Sequence, residues 1–424
     1  MAAGMAQAMS GPRLKVGVLV DLERRVSAGG HVKCWERLAD AATRRDDLDL
    51  TVHVQNGQDG IDAWTGHVRF IAHRPIFSTE RLSWFLGKIP DHTDLSPWHP
   101  AIARALADYQ VVHTTDGFFS MASTALHVCR RKGIPLVNSV HTDTPGYARL
   151  YTRRTIERLF GQGFLSDLLL NQLQIDRWQE SAMRAKLERH QKAAHFCLDS
   201  DPKALEDMKR RLGEGRVGML RRGIDKTFFH PENRDRDWLS KRFGIPPERT
   251  VVLFVGRLDA TKNVLTAARA VAELIARGRD VQFLAAGVGD EIPVIREMLQ
   301  ERATLPGSFP VSDMPTLYAS ADIFAFPSML DVLSNALMEA LASGIPVVVN
   351  EKSGLEQHFV SGESGLVVSE TGWADALQTL VDDPSKRGAM GASARAHAER
   401  TLPSWDDVLA QDLMPIWRKA ARWE

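Results

Sequence analysis

The sequence predicts an α/β protein built from two doubly wound, parallel-sheet domains, and three observations carry that prediction. At 424 residues the chain exceeds what one hydrophobic core usually holds. Short apolar runs alternate with amphipathic stretches, the pattern of parallel strands covered on both faces by helical crossovers. The rhythm breaks in "FFHPENRDRDWLSKRFGIPPERT", which is polar, charged and proline-bearing, and then restarts. A linker is therefore expected near residue 232. The domains are read as 13–232 and 233–403, with 404–424 a C-terminal helix packing back on the first.

In the first domain, strands are read at "LKVGVLV" (14–20), "TVHV" (51–54), "VRFIA" (68–72), "YQVVHT" (109–114), "IPLVNSV" (134–140) and "AHFCLDS" (194–200). The second set is "TVVLFVGR" (250–257), "DVQFLAAG" (280–287), "ADIFAFPS" (321–328), "IPVVV" (345–349) and "SGLVV" (364–368). Between its first two strands, Val264, Ala267, Val271, Leu274 and Ile275 fall on one helical face. Ser334 stands where an N-cap belongs and Gly344 where a helix ends, so a further helix is expected between them.

Lys plus Arg and Asp plus Glu both number 53, which argues against an extended nucleic-acid grip. Cys34, Cys129 and Cys197 have no paired spacing, as in a reducing cytoplasm, and offer no zinc cluster. The leader "MAAGMAQAMSGPR" lacks an apolar core and reads as a tail rather than a signal peptide. No apolar run approaches 18 residues, so any membrane contact is expected to be peripheral.

In doubly wound folds, ligands bind outside the carboxyl ends of the strands, and the chemistry-bearing residues gather there. Gly29 and Gly30 precede a helix whose Val32, Trp35, Leu38 and Ala39 keep helical spacing; helix-entry N–H groups attract phosphate and glycines allow close approach. Arg257 ends a strand and Lys262 precedes the next helix, a fork and a point charge suited to a diphosphate. Asp331, in a loop, and Glu339, on the helix after Ser334, would be misplaced against phosphate and instead suit sugar or ribose hydroxyls. His141 follows a strand in a polar loop, placed for catalysis or substrate contact. His113 reads as a more structural histidine. The D-x-D tripeptides at 47–49, 199–201 and 235–237 are expected by chance in a chain with this many acids, and no metal role is assigned.

Taken together, "GG" (29–30), "SVHTDTPGYARLY" (139–151), "RRGIDKTFFHP" (221–231), "VGRLDATKN" (255–263), "PSMLDVLSNALMEALASGIPVVV" (327–349) and "SGLEQHFVSGESGLVV" (353–368) resemble the retaining glycosyltransferases of family four, glycosyl transferases group 1. That resemblance implies a GT-B fold, two Rossmann-like domains facing across a cleft, and a nucleotide-diphosphate sugar as donor. It further implies that Gly30 meets the diphosphate, Arg257 and Lys262 neutralise it, helix-entry amides beside Leu333 and Ser334 face it, and Glu339 holds the ribose. Asp331, where the family more often has glutamate, would hold hydroxyls of the transferred sugar, and His141 would contact that sugar near the reacting carbon.

The implied reaction retains configuration by a front-face route and needs neither cofactor nor metal. The expected acceptor is a lipid or cell-envelope glycan, and the expected location is the cytoplasm or the inner face of its membrane. The segment 148–174 mixes Arg149, Arg153, Arg154 and Arg158 with leucines and phenylalanines. It reads either as core packing with a solvated face or as a surface for anionic lipid. A sugar-nucleotide epimerase and a catalytically silent sugar-nucleotide-binding protein stand as alternative functions.

Overall fold

The structure, a computed structural model, describes residues 12–25, 30–82, 93–161, 163–329 and 334–422. The leader through residue 11, Gly29, Asp331 and Leu333 lie outside the described residues. The chain divides into two compact units: one runs through Arg221 and resumes at Trp405, and the other is Arg222–Ser404.

The first unit holds β1 (Leu14–Glu23), β2 (Leu48–Gln55), β3 (Gly60–Ala63), β4 (Val68–His73), β5 (Val111–Thr114), β6 (Leu136–Ser139), β7 (Phe196–Asp199) and β8 (Val217–Met219). Its main helices are α1 (Gly30–Ala42), α2 (Ser120–Lys132), α3 (Thr144–Phe160) and α4 (Ile175–Ala193). The sheet order is β3-β4-β2-β1-β5-β6-β7-β8, parallel throughout except for β3, which runs antiparallel to β4. Alternation along β1 explains the two covered faces. Val16, Val18 and Val20 pack with Trp35 and Leu38 of α1, while Leu19 packs with Met121 and Ala125 of α2.

The second unit holds β9 (Thr250–Val255), β10 (Val281–Ala286), β11 (Ala303–Gly307), β12 (Ile323–Phe326), β13 (Val347–Asn350) and β14 (Gly365–Val368), with α5 (Val264–Ala276), α6 (Asn335–Ala342) and α7 (Pro384–Thr401). Its all-parallel order, β11-β10-β9-β12-β13-β14, is the 3-2-1-4-5-6 order of a doubly wound nucleotide-binding sheet. The fully buried Val251–Phe254 and Val347–Val349 form its centre. The last helix, α8 (Met414–Ala421), belongs to the first unit, where Trp405, Leu413, Met414 and Trp417 join the core around α1.

The break between units falls at 221/222, earlier than the linker expected near residue 232. Residues 224–231 are already built into the second core: Ile224 and Phe229 are buried in it, and Arg395 of α7 donates to the carbonyls of Lys226 and Phe229 at 3.1 and 2.9 Å. On the other side of the break, Arg221 grips Asp412 in the first unit, with its backbone N–H donating at 2.8 Å. The polar composition of 228–250 thus marks a surface of the second unit, not a tether. Three strands carried too little apolar pattern to be read. Strand β3 is exposed at every position, β8 has three residues, and β11 is a half-buried edge containing Pro306.

Candidate nucleotide-sugar site

In the second unit strand order reverses between β9 and β12, so the loops that follow these two strands flank the crevice where such sheets take ligands. The β9 loop is tightly determined. Asp259 Oδ1 accepts the backbone N–H groups of Thr261 and Lys262 at 2.9 and 3.2 Å. The Arg257 guanidinium lies 3.6 Å from Asp259 Oδ2 and donates to Thr261 Oγ1 at 3.2 Å. Asn263, with φ +53°, turns the chain into α5 and donates from its side chain to the carbonyl of Pro327 beyond β12, at 3.3 Å. Lys262 Nζ lies 5.9 Å from the ring centroid of Phe326, the last residue of β12. Both predicted cations therefore stand at the switch point, oriented by an aspartate that sequence reasoning had not singled out.

Glycines hold the neighbouring loops against this one. Gly287, with φ +153°, ends β10 so close to β9 that a Cβ would lie 1.8 Å from the carbonyl oxygen of Gly256. Hydrogen bonds from Gly256 N to Ala286 O, from Leu258 N to Val288 O and from Gly287 N to Gly307 O, of 3.0, 2.9 and 2.9 Å, stitch the three loops together. The signal was present in "FVGR" and "AAGVG", where a glycine directly follows a buried strand.

Helix α6 begins as the sequence predicts. Ser334 is extended and buried, and its hydroxyl accepts Leu337 N–H at 3.4 Å. Gly344 takes φ +70° beyond the far end. Leu337, Met338, Ala340, Leu341 and Ala342 are buried, which leaves Glu339 as the carboxylate of a core helix, half-buried beside Tyr318. Burial first, and then the nearby Glu339 carboxylate, raise the Tyr318 phenol well above its ordinary value.

In the first unit the equivalent reversal lies between β1 and β5. Gly30 is exposed and opens α1; the next residue, His31, stacks on His141 with ring centroids 4.4 Å apart and planes within 13°. His141 Nε2 lies 2.8 Å from Ser139 Oγ. His113, fully buried on β5, reaches the same hydroxyl from Nε2 at 2.9 Å, and burial lowers its pKa to about 3. Sequence reasoning treated His113 as separate from His141; the structure wires them together.

Two further acids at these strand ends were not singled out. Asp21, near the end of β1, accepts Met121 N–H at 2.8 Å, and Asp116, just beyond β5, accepts Phe118 N–H at 2.7 Å. Burial, and for Asp21 the neighbouring Asp116, raise both carboxyl pKa values. The D-x-D acids have local structural uses. Asp47 and Asp49 pair with arginines, and Asp201 and Asp235 cap helices.

The fold and these sites define a class. Sucrose-phosphate synthase from Thermosynechococcus elongatus overlays with a TM-score of 0.69 at 17% identity, covering 97% of this chain and all of that one. Anabaena HepE in complex with UDP-glucose overlays with a TM-score of 0.65 at 16% identity, covering 97% and 99% of the two chains. At those identities the likeness is one of fold: two parallel-sheet Rossmann-like domains, the GT-B fold.

Residues 249–383 match the family model Glycosyl transferases group 1, the family that the motifs of this chain resemble. D-inositol 3-phosphate glycosyltransferase of Corynebacterium glutamicum (strain R) is 36% identical over 212 residues, which take in 46% of this chain and 50% of that protein. The chain therefore spans half the length of that relative.

The close approach of β9 and β10 generates a test. Gly287→Ala should destabilise the protein by about 1–3 kcal/mol, the range for imposed backbone strain, read as a lowered denaturation midpoint. A change within about 0.5 kcal/mol, as for an ordinary surface substitution, would contradict the described contact.

Proposed function

We propose that the protein is a retaining glycosyltransferase that moves a sugar from a nucleoside diphosphate donor to a lipid or cell-envelope glycan acceptor. The observation that carries the reading is the pair Arg257 and Lys262 at the carboxyl end of β9, held by Asp259 and Asn263 at the switch point of the second sheet. Two cations there offset the charge already on the diphosphate and the further negative charge that builds on it as the bond to the sugar breaks, the kind of preset stabilisation that lowers a transition state most. Glu339 takes the ribose hydroxyls, and the family resemblance gives Leu333 and Ser334 to the donor and Asp331 to hydroxyls of the sugar. For the first unit, the family resemblance gives Gly29 and Gly30 to the diphosphate and His141 to the sugar near the reacting carbon.

In this reaction the bond between the anomeric carbon and the diphosphate oxygen breaks. The acceptor oxygen bonds to the same face, and the acceptor's proton leaves with the phosphate. Positioning and charge stabilisation do the work, with no cofactor and no step routed through a metal.

Support for a lipid acceptor comes from the segment 159–178, though not through all the arginines first considered. Arg149 and Arg153 both pair with the fully buried Asp176 and so clasp α3 to α4. Ile156 and Leu170 enter the core. Leu159, Phe160, Phe164, Leu165, Leu173 and Trp178, however, are exposed, Phe164 and Trp178 by 76% and 69%. An apolar patch of this kind, with Arg154, Arg158 and Arg177 on the same stretch of chain, suits a peripheral seat on anionic lipid. Among the described residues no helix is long and apolar enough to cross a membrane.

Incubation with a panel of UDP-, GDP- and ADP-sugars separates this reading from its rivals. A transferase releases nucleoside diphosphate when acceptor is present, an epimerase converts the sugar, and a silent binding protein does neither. With the cognate donor, Arg257→Ala or Lys262→Ala should lower transfer by roughly 10²–10³-fold. Near-normal turnover in either variant would remove the diphosphate assignment. The protein should also sediment with vesicles containing anionic lipid, and the double variant Phe164→Ser/Trp178→Ser should lose most of that binding. Absence of binding, or binding unchanged in the double variant, would count against the lipid reading.

A further inference from the structure

Four side chains of the first unit join end to end. Trp417 of α8 donates its indole N–H to His113 Nδ1 at 3.0 Å, His113 Nε2 lies 2.9 Å from Ser139 Oγ, and Ser139 Oγ lies 2.8 Å from His141 Nε2. Indole nitrogen can only donate. His113 Nδ1 must therefore accept, so that ring is neutral with its proton on Nε2 and gives that proton to Ser139 Oγ. The serine hydroxyl has a single hydrogen, and among the described residues its oxygen meets only the two imidazoles. That hydrogen points at His141 Nε2, which must be bare. The direction of the whole chain follows from its one obligatory donor.

We infer that Trp417, His113 and Ser139 are positioning residues that fix His141 as the neutral tautomer protonated at Nδ1. Trp417, His113 and Ser139 are all fully buried, so water does not stand in for a missing link. His31, stacked on His141 at 4.4 Å, and Trp35, tilted against it at 6.0 Å, set the plane of the ring. Whatever His141 meets at Nδ1, it meets as a hydrogen-bond donor and not as a base. Its use toward a sugar oxygen rests on the function proposed above; the tautomer does not. The C-terminal segment, distant in sequence from the other three residues, thereby takes part in setting the site's chemistry through a single N–H.

Two-bond ¹H–¹⁵N correlation spectra of the ¹⁵N-labelled full chain report which nitrogen of each histidine carries the proton. The expected result is His113 protonated at Nε2 and His141 at Nδ1. In Ser139→Ala, His141 should become a mixture of both tautomers and kcat should fall about tenfold, the scale of one oriented hydrogen bond; Ser139→Thr, which keeps the hydroxyl, should restore both. Trp417→Phe should shift the tautomers of both histidines in the same experiment.

A His141 protonated at Nε2 in the wild type, or a tautomer unmoved by Ser139→Ala, would overturn the inference. The turnover of His141→Asn tests the other link separately. Wild-type activity in that variant would overturn the assignment of His141 to the sugar, whichever tautomer the spectra show.

Discussion

A parallel sheet covered on both faces opens to ligands at one place, the point where its strand order reverses. Here that reversal falls beside the first strand of each unit, between β1 and β5 and between β9 and β12. In the second unit the constraint tightens into an interaction. The backbone of Gly287 lies against the carbonyl of Gly256 at a distance no side chain permits. The loops after β9, β10 and β11 are consequently drawn into one surface, from which Arg257 and Lys262 extend. If the strand ends were spread apart, the two cations would lose their common anchor in Asp259 and Asn263.

The first unit solves a different problem. Its reversal point is lined with the buried polar groups Asp21, His113 and Ser139 and the half-buried Asp116, each of which would be costly without a partner. They are satisfied by helix-entry amides, by one another and by the C-terminal helix, whose Trp417 is the last donor in the row. A segment far along the chain therefore completes a polar network built on β5 and β6. The same segment closes the core over α1, so packing and polar satisfaction depend on the same residues.

Much of this was legible in the sequence, because long, strongly apolar strands and capped helices announce themselves. β1, β9, β12 and β13 were read nearly to their ends, and the helix between Ser334 and Gly344 follows from its cap residues alone. What was hidden shares one physical cause. Edge strands such as β3 and β11 bury little, so they leave no periodic signature. The wiring of His113 to His141, and the clasp of Arg149 and Arg153 on Asp176, pair residues from different elements, which no local pattern records. The unit boundary was misplaced because a polar, proline-bearing stretch can coat a core as readily as it can link two.

The central claim is that the second unit holds the nucleoside diphosphate part of a sugar donor, with Glu339 on the part that stays and Asp331 on the sugar that leaves. Titration calorimetry with UDP, GDP and ADP in turn tests it directly, because these ligands lack the sugar. The account predicts that one of them binds the wild type, binds Glu339→Gln at least about tenfold more weakly, as expected when a charge-assisted hydrogen bond is lost, and binds Asp331→Asn nearly as well as the wild type. Undiminished affinity in Glu339→Gln, with a large loss in Asp331→Asn, would contradict it.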